Sequence, residues 1–81
     1  MKLSVRFFAS AREIAGSDSV ELELPDDATI AQTRGALLQS LPMLAARSGT
    51  LLWAVNNEYA TDDRKLQATD VVACFPPVSG G

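Results

Sequence analysis

The sequence predicts a small α+β domain in which a mixed β-sheet packs on one principal helix, followed by an extended C-terminal tail. Three observations support this fold class. The chain has 81 residues, enough for one domain with one small core. Alternating apolar residues mark strands, and one segment near the middle has helical spacing. Two consecutive prolines follow the last strand and precede a Gly-Gly end.

The first strand is predicted over residues 2–8. Its apolar residues alternate with polar ones, which is the period of a strand that buries one face. They are Leu3, Val5 and Phe7. The same alternation places Phe8 on the polar face. A large aromatic ring there either packs on a neighbouring element or belongs to a partner-binding surface.

A short helix and a second strand follow. Ser10 and Glu13 have the spacing of a capping box, which predicts a helix that ends near residue 15. Gly16 is placed to adopt the left-handed conformation that commonly terminates a helix. Valine and leucine then alternate with glutamate, which predicts a second strand over 20–24 that ends at Pro25.

The principal helix is predicted to begin after Thr29. Thr29 and Gln32 repeat the capping-box spacing. The apolar residues that follow recur at nearly helical intervals, so one side of this helix should cover the sheet. They are Ile30, Leu37, Leu38 and Leu41. Gly35 costs about 1 kcal/mol relative to alanine inside a helix, and it either allows close packing on the sheet or is simply tolerated. Pro42 ends or bends the helix.

The remaining strands lie in the C-terminal half. A third strand over 51–55 and a short strand over 58–61 flank Asn56 and Asn57. Asparagine tolerates positive φ better than other residues with a Cβ, so this pair predicts a hairpin turn. The last strand is predicted over 71–75, and it is almost entirely apolar.

Composition excludes several classes of function. The formal net charge is −3 and the seven basic residues are scattered, which argues against nucleic-acid binding. The chain has no histidine, so it lacks an imidazole base, a Ser–His pair and a His-ligated zinc ion. No apolar run approaches the roughly 18 residues that span a bilayer, and no signal peptide is recognisable. We therefore expect a soluble cytoplasmic protein that binds no metal, membrane or nucleic acid.

Two groups of polar or reactive residues have alternative interpretations. Cys74 is the single cysteine and lies in an apolar strand, which favours a small buried residue over a persulfide-bearing or redox-active thiol. Asp62 and Asp63 are adjacent, but two carboxylates without further oxygen ligands are usually solvated and hold no cation. Leu66, after this polar loop, is expected to enter the core.

The C-terminal segment carries the most distinctive pattern. Pro76 and Pro77 end the last strand and favour an extended conformation. Residues 76–81 reach about 20 Å at full extension, at up to roughly 3.3 Å per residue. Gly80 and Gly81 have no Cβ, so the chain end is thin enough to enter a narrow active site of another protein. A terminal carboxylate needs activation before acyl transfer. The chain has no phosphate-binding glycine-rich loop, so a separate ATP-using enzyme would have to supply that activation.

The sequence resembles the MoaD family, the small, sulfur-carrying subunits of molybdopterin synthase, which have a ubiquitin-like β-grasp fold. The resemblance covers essentially the whole chain. Four segments carry it: residues 5–9, 11–16, 54–56 and 75–81. The last of them, Phe-Pro-Pro-Val-Ser-Gly-Gly, is the specific part, because Gly-Gly alone equally fits a thiamine-pathway sulfur carrier or a protein modifier. The resemblance implies a β-grasp domain over 1–75 and an extended Gly-Gly tail over 76–81.

The family implies a chemistry for the tail. The terminal carboxylate is adenylated by an E1-like activating enzyme that uses ATP, and a sulfur donor protein then supplies sulfur for a thiocarboxylate. The large subunit of the synthase receives the tail, and the sulfur passes to cyclic pyranopterin monophosphate to form the dithiolene of molybdopterin. The implied assembly is a heterotetramer of two small and two large subunits. The chain itself binds no cofactor and is not catalytic alone.

The resemblance also assigns residues by position. Gly81 is the thiocarboxylated residue and Gly80 its unhindered neighbour. Partner contacts are assigned to three aromatic residues and four tail residues: Phe8, Tyr59, Phe75, Pro76, Pro77, Val78 and Ser79. Arg12 is expected to add a polar contact, with a solvated helix arginine as the alternative. Tyr59 stands where the family has an aliphatic side chain, and an ordinary surface tyrosine is its alternative.

Other functions stay open at this point. Within the same chemistry, the chain fits a sulfur carrier for thiamine or another pathway, or a ubiquitin-like modifier. From a different class, it fits a protein-interaction module that uses its sheet face and never has its terminus activated. Deletion of Gly81 discriminates between these classes, because it should abolish a carrier and leave a plain binding module active.

Overall fold

The computed structural model describes residues 1–47 and 50–77. It contains five strands, two α-helices and one 3₁₀ helix. The strands are β1 (Lys2–Phe7), β2 (Ser19–Glu23), β3 (Leu52–Val55), β4 (Glu58–Tyr59) and β5 (Val72–Phe75). The helices are α1 (Ala9–Ala15), α2 (Ile30–Ser40) and the 3₁₀ helix Pro42–Arg47.

The strands form one mixed sheet in the order β2-β1-β5-β3-β4. Strand β1 pairs with β5 in parallel, and the other neighbouring pairs are antiparallel. The last strand of the chain therefore lies at the centre of the sheet, next to the first. This mixed sheet packed on a principal helix is the ubiquitin-like β-grasp, so the predicted fold class is confirmed.

The core lies between one face of the sheet, the inner face, and the helices. Alternate strand residues supply it: Leu3, Val5, Phe7, Leu22, Trp53, Val55, Val72 and Cys74 are buried. Ile30 and Leu37 of α2 pack against them, and Leu66 enters the core as predicted. Thr33 is buried as well, and its hydroxyl donates to the Thr29 carbonyl at 2.8 Å.

Helix α2 begins with the capping box that the sequence predicts. The Gln32 amide donates to Thr29 Oγ1 at 3.3 Å, and the Thr29 amide donates to Gln32 Oε1 at 2.8 Å. The amides of Ile30 and Ala31 donate to carbonyls of the 62–64 loop. The first amides of this helix are therefore satisfied within the chain.

The structure decides between the two interpretations of Gly35, which were close packing on the sheet and simple tolerance. Gly35 is exposed, and an ideal Cβ built on it would meet no atom within 4 Å. Close packing on the sheet is therefore not the reason for a glycine here, and the tolerated interpretation holds. Pro42 ends the helix as predicted, since α2 stops at Ser40 and the 3₁₀ helix begins at the proline.

The start of α1 differs from the prediction. Strand β1 ends at Phe7, and Phe8 takes the N-cap position with no side-chain capping bond. Ala9 adopts a φ of 54°, which turns the chain sharply from strand to helix. Ser10 therefore falls inside the first turn, so the capping box proposed for Ser10 and Glu13 is wrong. The predicted helix end is confirmed, because Gly16 has a φ of 75° and donates to the Arg12 carbonyl at 3.0 Å.

The hairpin between β3 and β4 is confirmed. Asn56 and Asn57 have φ values of 52° and 68°, the left-handed pair that a two-residue turn requires. The Asn56 side chain also accepts from the Val71 amide at 2.9 Å and donates to Asp70 at 3.1 Å. The turn is thereby tied to the loop that leads into β5. The returning strand is shorter than predicted, with two residues in place of 58–61.

Candidate functional site

The face of the sheet that the helices do not cover, the outer face, is chemically divided. On β3, β4 and β5, its residues are uncharged and mostly apolar: Leu52, Ala54, Tyr59, Ala73 and Phe75. On β1 and β2 they are polar or charged: Lys2, Ser4, Arg6, Ser19, Glu21 and Glu23. The apolar half includes the end of β5, from which the chain continues to Pro76 and Pro77.

Two aromatic rings meet on the apolar half. The ring centroids of Tyr59 and Phe75 lie 5.9 Å apart at an interplanar angle of 52°. The two residues belong to strands separated by β3, so roughly 9–10 Å lies between their backbones. The small side chain of Ala54 lies on β3 between them, opposite Tyr59. Tyr59 is 74% exposed, so much of the pair faces solvent.

Phe8 joins the same surface. Its backbone is extended, and its amide donates to the Cys74 carbonyl at 3.2 Å, next to Phe75 in sequence. Because Phe7 points into the core, alternation directs Phe8 to the outer side, where it is 48% exposed. The structure therefore brings Phe8, Tyr59 and Phe75 to the outer face of the sheet, near the end of β5 from which the tail continues. We name these three residues the aromatic cluster.

The structure describes the first two of the predicted tail residues. Strand β5 ends at Phe75, and Pro76 and Pro77 follow it outside any strand, half-buried and exposed respectively. The predicted tail residues Val78, Ser79, Gly80 and Gly81 lie outside the described residues. We call Pro76 and Pro77 the root of the tail. In the described part of the chain, this root follows directly on Phe75 of the aromatic cluster.

Arg12 lies on α1 with an intramolecular partner. Its Nε is 2.6 Å from Asp18 Oδ1, and both side chains are exposed. An exposed ion pair of this kind contributes about 0–1 kcal/mol to stability. The remaining guanidinium nitrogens of Arg12 stay available to a second acceptor, as an arginine carries five N–H donors.

Cys74 has the environment of a structural residue. Its side chain is buried on the inner face of β5, and it forms no disulfide. Burial raises the pKa of the thiol to about 12, and the nearby charge of Arg34 opposes this only in part. The buried-hydrophobe interpretation is confirmed, and the redox-thiol alternative lacks the exposed, electropositive setting that it requires.

The carboxylates of the 61–65 loop have partners within the chain. Asp62 forms an ion pair with Arg34 of α2. Asp63 accepts a hydrogen bond from the Thr61 hydroxyl, which lowers the pKa of Asp63. Within residues 1–47 and 50–77, no three carboxylate or thiol side chains gather into a possible metal site. In the same ranges, no helix has the length and apolar character to cross a membrane.

Several residues of this surface were not singled out from the sequence. Leu52, Ala54 and Ala73 lie between or beside the aromatic side chains on adjacent strands. Strand alternation alone assigns them to the face opposite the core. The missing information was the strand order, because their proximity to Tyr59 and Phe75 depends on β5 lying beside β3.

Comparison with known proteins places the chain in a family. The model of the ThiS family matches residues 5–81. The molybdopterin synthase sulfur carrier subunit of Haemophilus influenzae is 40% identical over 81 residues, with 98% of this chain and 99% of the relative covered.

Solved structures agree with this fold. The crystal structure of SAMP1 from Haloferax volcanii superposes with a TM-score of 0.88 at 32% identity, and all of both chains is covered. A complex of subunits 1 and 2 of the molybdopterin-converting factor from Helicobacter pylori contains a chain that superposes with a TM-score of 0.72. That chain is 24% identical over 100% of both chains, so it supports the fold alone. From these matches over nearly its whole length, the chain belongs to the ThiS family.

Proposed function

We propose that the chain is the sulfur carrier subunit of a molybdopterin synthase. The full-length similarity to a relative of that name supports the proposal, and so does the Phe-Pro-Pro-Val-Ser-Gly-Gly end of the sequence. The observation that carries it is the position of the tail root. A central strand ends at an exposed aromatic cluster, so a protein that takes up residues 76–81 meets an apolar surface at the point of entry.

The reaction takes place at Gly81. An E1-like activating enzyme joins the terminal carboxylate to the AMP part of ATP and releases pyrophosphate. The outer sulfur of a persulfide on a donor protein then displaces AMP and forms an acyl disulfide. A second thiol attacks the donor's sulfur, which releases the thiocarboxylate and leaves the two thiols joined as a disulfide. Gly80 keeps the approach to this group unhindered. A thiocarboxylate is anionic at neutral pH and far more nucleophilic at sulfur than a carboxylate is at oxygen, so it suits sulfur transfer to cyclic pyranopterin monophosphate.

The remaining assigned residues bind the partner. The aromatic cluster contacts the large subunit, and the exposed ring of Tyr59 supplies a rigid apolar contact with a polar end. Arg12 adds a polar contact beside Phe8. The tail residues Pro76, Pro77, Val78 and Ser79 pass through the entrance of the active site of the large subunit. The carrier holds no cofactor, works in the cytoplasm and forms a heterotetramer with the large subunit.

Mass spectrometry tests the chemistry. After co-expression with its activating enzyme and a sulfur source, the intact chain should show one oxygen replaced by sulfur, localised to Gly81. The purified thiocarboxylate, mixed with the large subunit, should convert the pterin precursor. Deletion of Gly81 is the matched control and should abolish both results. An unmodified terminus under conditions that thiolate a known carrier would contradict the proposal.

A second candidate is a ubiquitin-like protein modifier. The observation that favours it is the similarity to SAMP1, a small archaeal modifier protein, at a TM-score of 0.88. A modifier joins its terminal glycine to a lysine amine of another protein. Peptide mapping of cell extracts distinguishes the two functions, since only the modifier leaves the C-terminal residues of this chain attached to lysines of other proteins. The same thiocarboxylate assay with thiamine-pathway enzymes tests the third possibility, a carrier for that pathway.

A further inference from the structure

Arg6 lies at the boundary between the two halves of the outer face. It points to that face from β1, where its cross-strand neighbours are Ala73 on β5 and Ser19 on β2. On the β5 side, the next outward residue towards the tail is Phe75. Arg6 is therefore a cation beside the aromatic cluster.

Arg6 forms no ion pair with its neighbours in the described part of the chain. Neither Ala73 nor Ser19 carries a charge. Glu21 of β2 is only its diagonal neighbour, since Glu21 stands opposite Ser4. Lys2 lies on the same strand and the same face, but it stands directly opposite Glu23. Arg12 and Arg34 each have an aspartate partner. On an acidic chain of net charge −3, an exposed guanidinium that forms no ion pair within residues 1–47 and 50–77 is available to an external carboxylate.

A surface depression joins Arg6 to the partner-binding residues. This depression, of about 240 Å³, is lined by Arg6, Phe7, Phe8, Arg12 and Asp18. Asp18 is already bound by Arg12 at 2.6 Å. The free donors there belong to the two guanidinium groups, whose planar geometry suits bidentate binding of a carboxylate.

We propose that Arg6 receives a carboxylate side chain of the protein that takes up the tail, so that this partner presents an apolar centre with an acidic margin. The inference rests on the proposed function. Because residues 76–81 reach at most about 20 Å at full extension, a partner that takes up Gly81 must lie close to Pro76. The depression lies at the same end of the sheet, since Phe7 and Phe8 are next to the end of β5. Phe8 belongs both to the aromatic cluster and to the lining of the depression, so the apolar and acidic contacts are continuous.

Charge reversal at two matched positions tests the inference. The full chain, as wild type, Arg6→Glu and Lys2→Glu, is titrated with the large subunit of molybdopterin synthase from the same organism. Both substitutions change the net charge by −2, from −3 to −5. They also share a strand and a face, about 13 Å apart, at roughly 3.3 Å per residue. Arg6→Glu should raise the Kd about tenfold, and Lys2→Glu should change it by less than about twofold.

The supporting measurements separate binding from chemistry and folding. Arg6→Gln should lessen the salt dependence of the Kd. In the wild type, added salt screens the attraction between Arg6 and the partner's carboxylate, and the variant lacks that attraction. Thermal unfolding of each variant controls for fold. The thiocarboxylated Arg6→Glu chain should transfer sulfur at the wild-type rate once the large subunit is saturating.

The outcomes distinguish the two proposals. Equal Kd values for the Arg6→Glu and Lys2→Glu chains, with wild-type sulfur transfer intact, would overturn the role of Arg6 and leave the carrier function standing. A wild-type chain that does not bind the large subunit at all would overturn the carrier function and this inference with it.

Discussion

At the residue scale, Cys74 is expected to take no part in sulfur chemistry. Its thiol is buried, and its pKa is raised to about 12 from an ordinary value of 9.0. A thiol-specific reagent should therefore leave the native chain unmodified at pH 8 and react after unfolding. Cys74→Ala should cost about 1–2 kcal/mol of unfolding free energy and leave thiocarboxylate formation at Gly81 unchanged. Rapid native labelling would contradict this.

The same residue predicts a pH dependence of stability. Because the folded pKa is above the unfolded one, the native state keeps a proton that the unfolded state releases. This stabilisation is complete below about pH 9 and is lost as the pH rises towards 12. The stability difference between wild type and Cys74→Ala should therefore narrow over that range in urea titrations followed by Trp53 fluorescence. A constant difference up to pH 11 would rule out a buried neutral thiol.

Sequence patterns identify single residues well where burial alone decides their role. Strand alternation and an apolar setting predict the buried positions of Phe7, Leu66 and Cys74, and the structure confirms them. Tyr59 is different, because neither alternation nor composition indicates that its ring meets Phe75. That contact crosses an intervening strand, and only the sheet order reveals it.

At the scale of the elements, α2 offers a direct test of helix propensity. Gly35 is exposed in the helix interior and has free space where a Cβ would lie. Gly35→Ala should raise the unfolding free energy by about 1 kcal/mol, which corresponds to about 4–8 °C in Tm for a domain of this size. Gly16→Ala is the matched control and should destabilise, since Gly16 has a φ of 75°. A Gly35→Ala chain that melts at or below the wild-type temperature would show an unrecognised constraint.

The two helices show why element ends differ in predictability. The start of α2 is encoded locally, since Thr29 and Gln32 satisfy each other's amides. The start of α1 is imposed by the chain reversal after β1, with Ala9 at a φ of 54° and Phe8 held by the Cys74 carbonyl. A tertiary bond to the last strand overrides the capping-box pattern there, and local sequence contains no record of it.

At the scale of the whole molecule, the parallel pairing of β1 with β5 determines the site. It joins the first strand to the last, and it places Phe8 beside Phe75. Local periodicity predicts each strand but not its neighbours. The alternation of apolar residues shows which face of a strand is buried, and it does not show which other strand pairs with it. The resemblance to a family predicted the β-grasp fold, which the periodicity alone did not. The order of the strands is a finding of the structure, and the candidate surface depends on it.

The folded domain is expected to bind the large subunit without the residues that follow Pro77. A chain ending at Pro77 keeps every described contact, so its unfolding free energy should stay within about 0.5 kcal/mol of wild type. It should still bind the large subunit through the aromatic cluster, and so inhibit sulfur transfer from the intact thiocarboxylated carrier by competition. Tyr59→Ala in the truncated chain should weaken this inhibition at least about tenfold, as expected for an aromatic residue central to an interface.

Met43→Ala is the matched control for that experiment. Met43 is also a large exposed apolar residue, but it lies on the 3₁₀ helix, which packs against α1 and α2 on the opposite side of the sheet. Its loss should leave competition unchanged.

If the truncated chain does not compete at all, the tail alone supplies the affinity and the aromatic cluster is an ordinary exposed sheet surface. If Met43→Ala and Tyr59→Ala weaken competition equally, the partner binds elsewhere on the domain. Competition that depends on Tyr59 and survives loss of residues 78–81 would show that the sheet recognises the partner while the tail carries the reactive group.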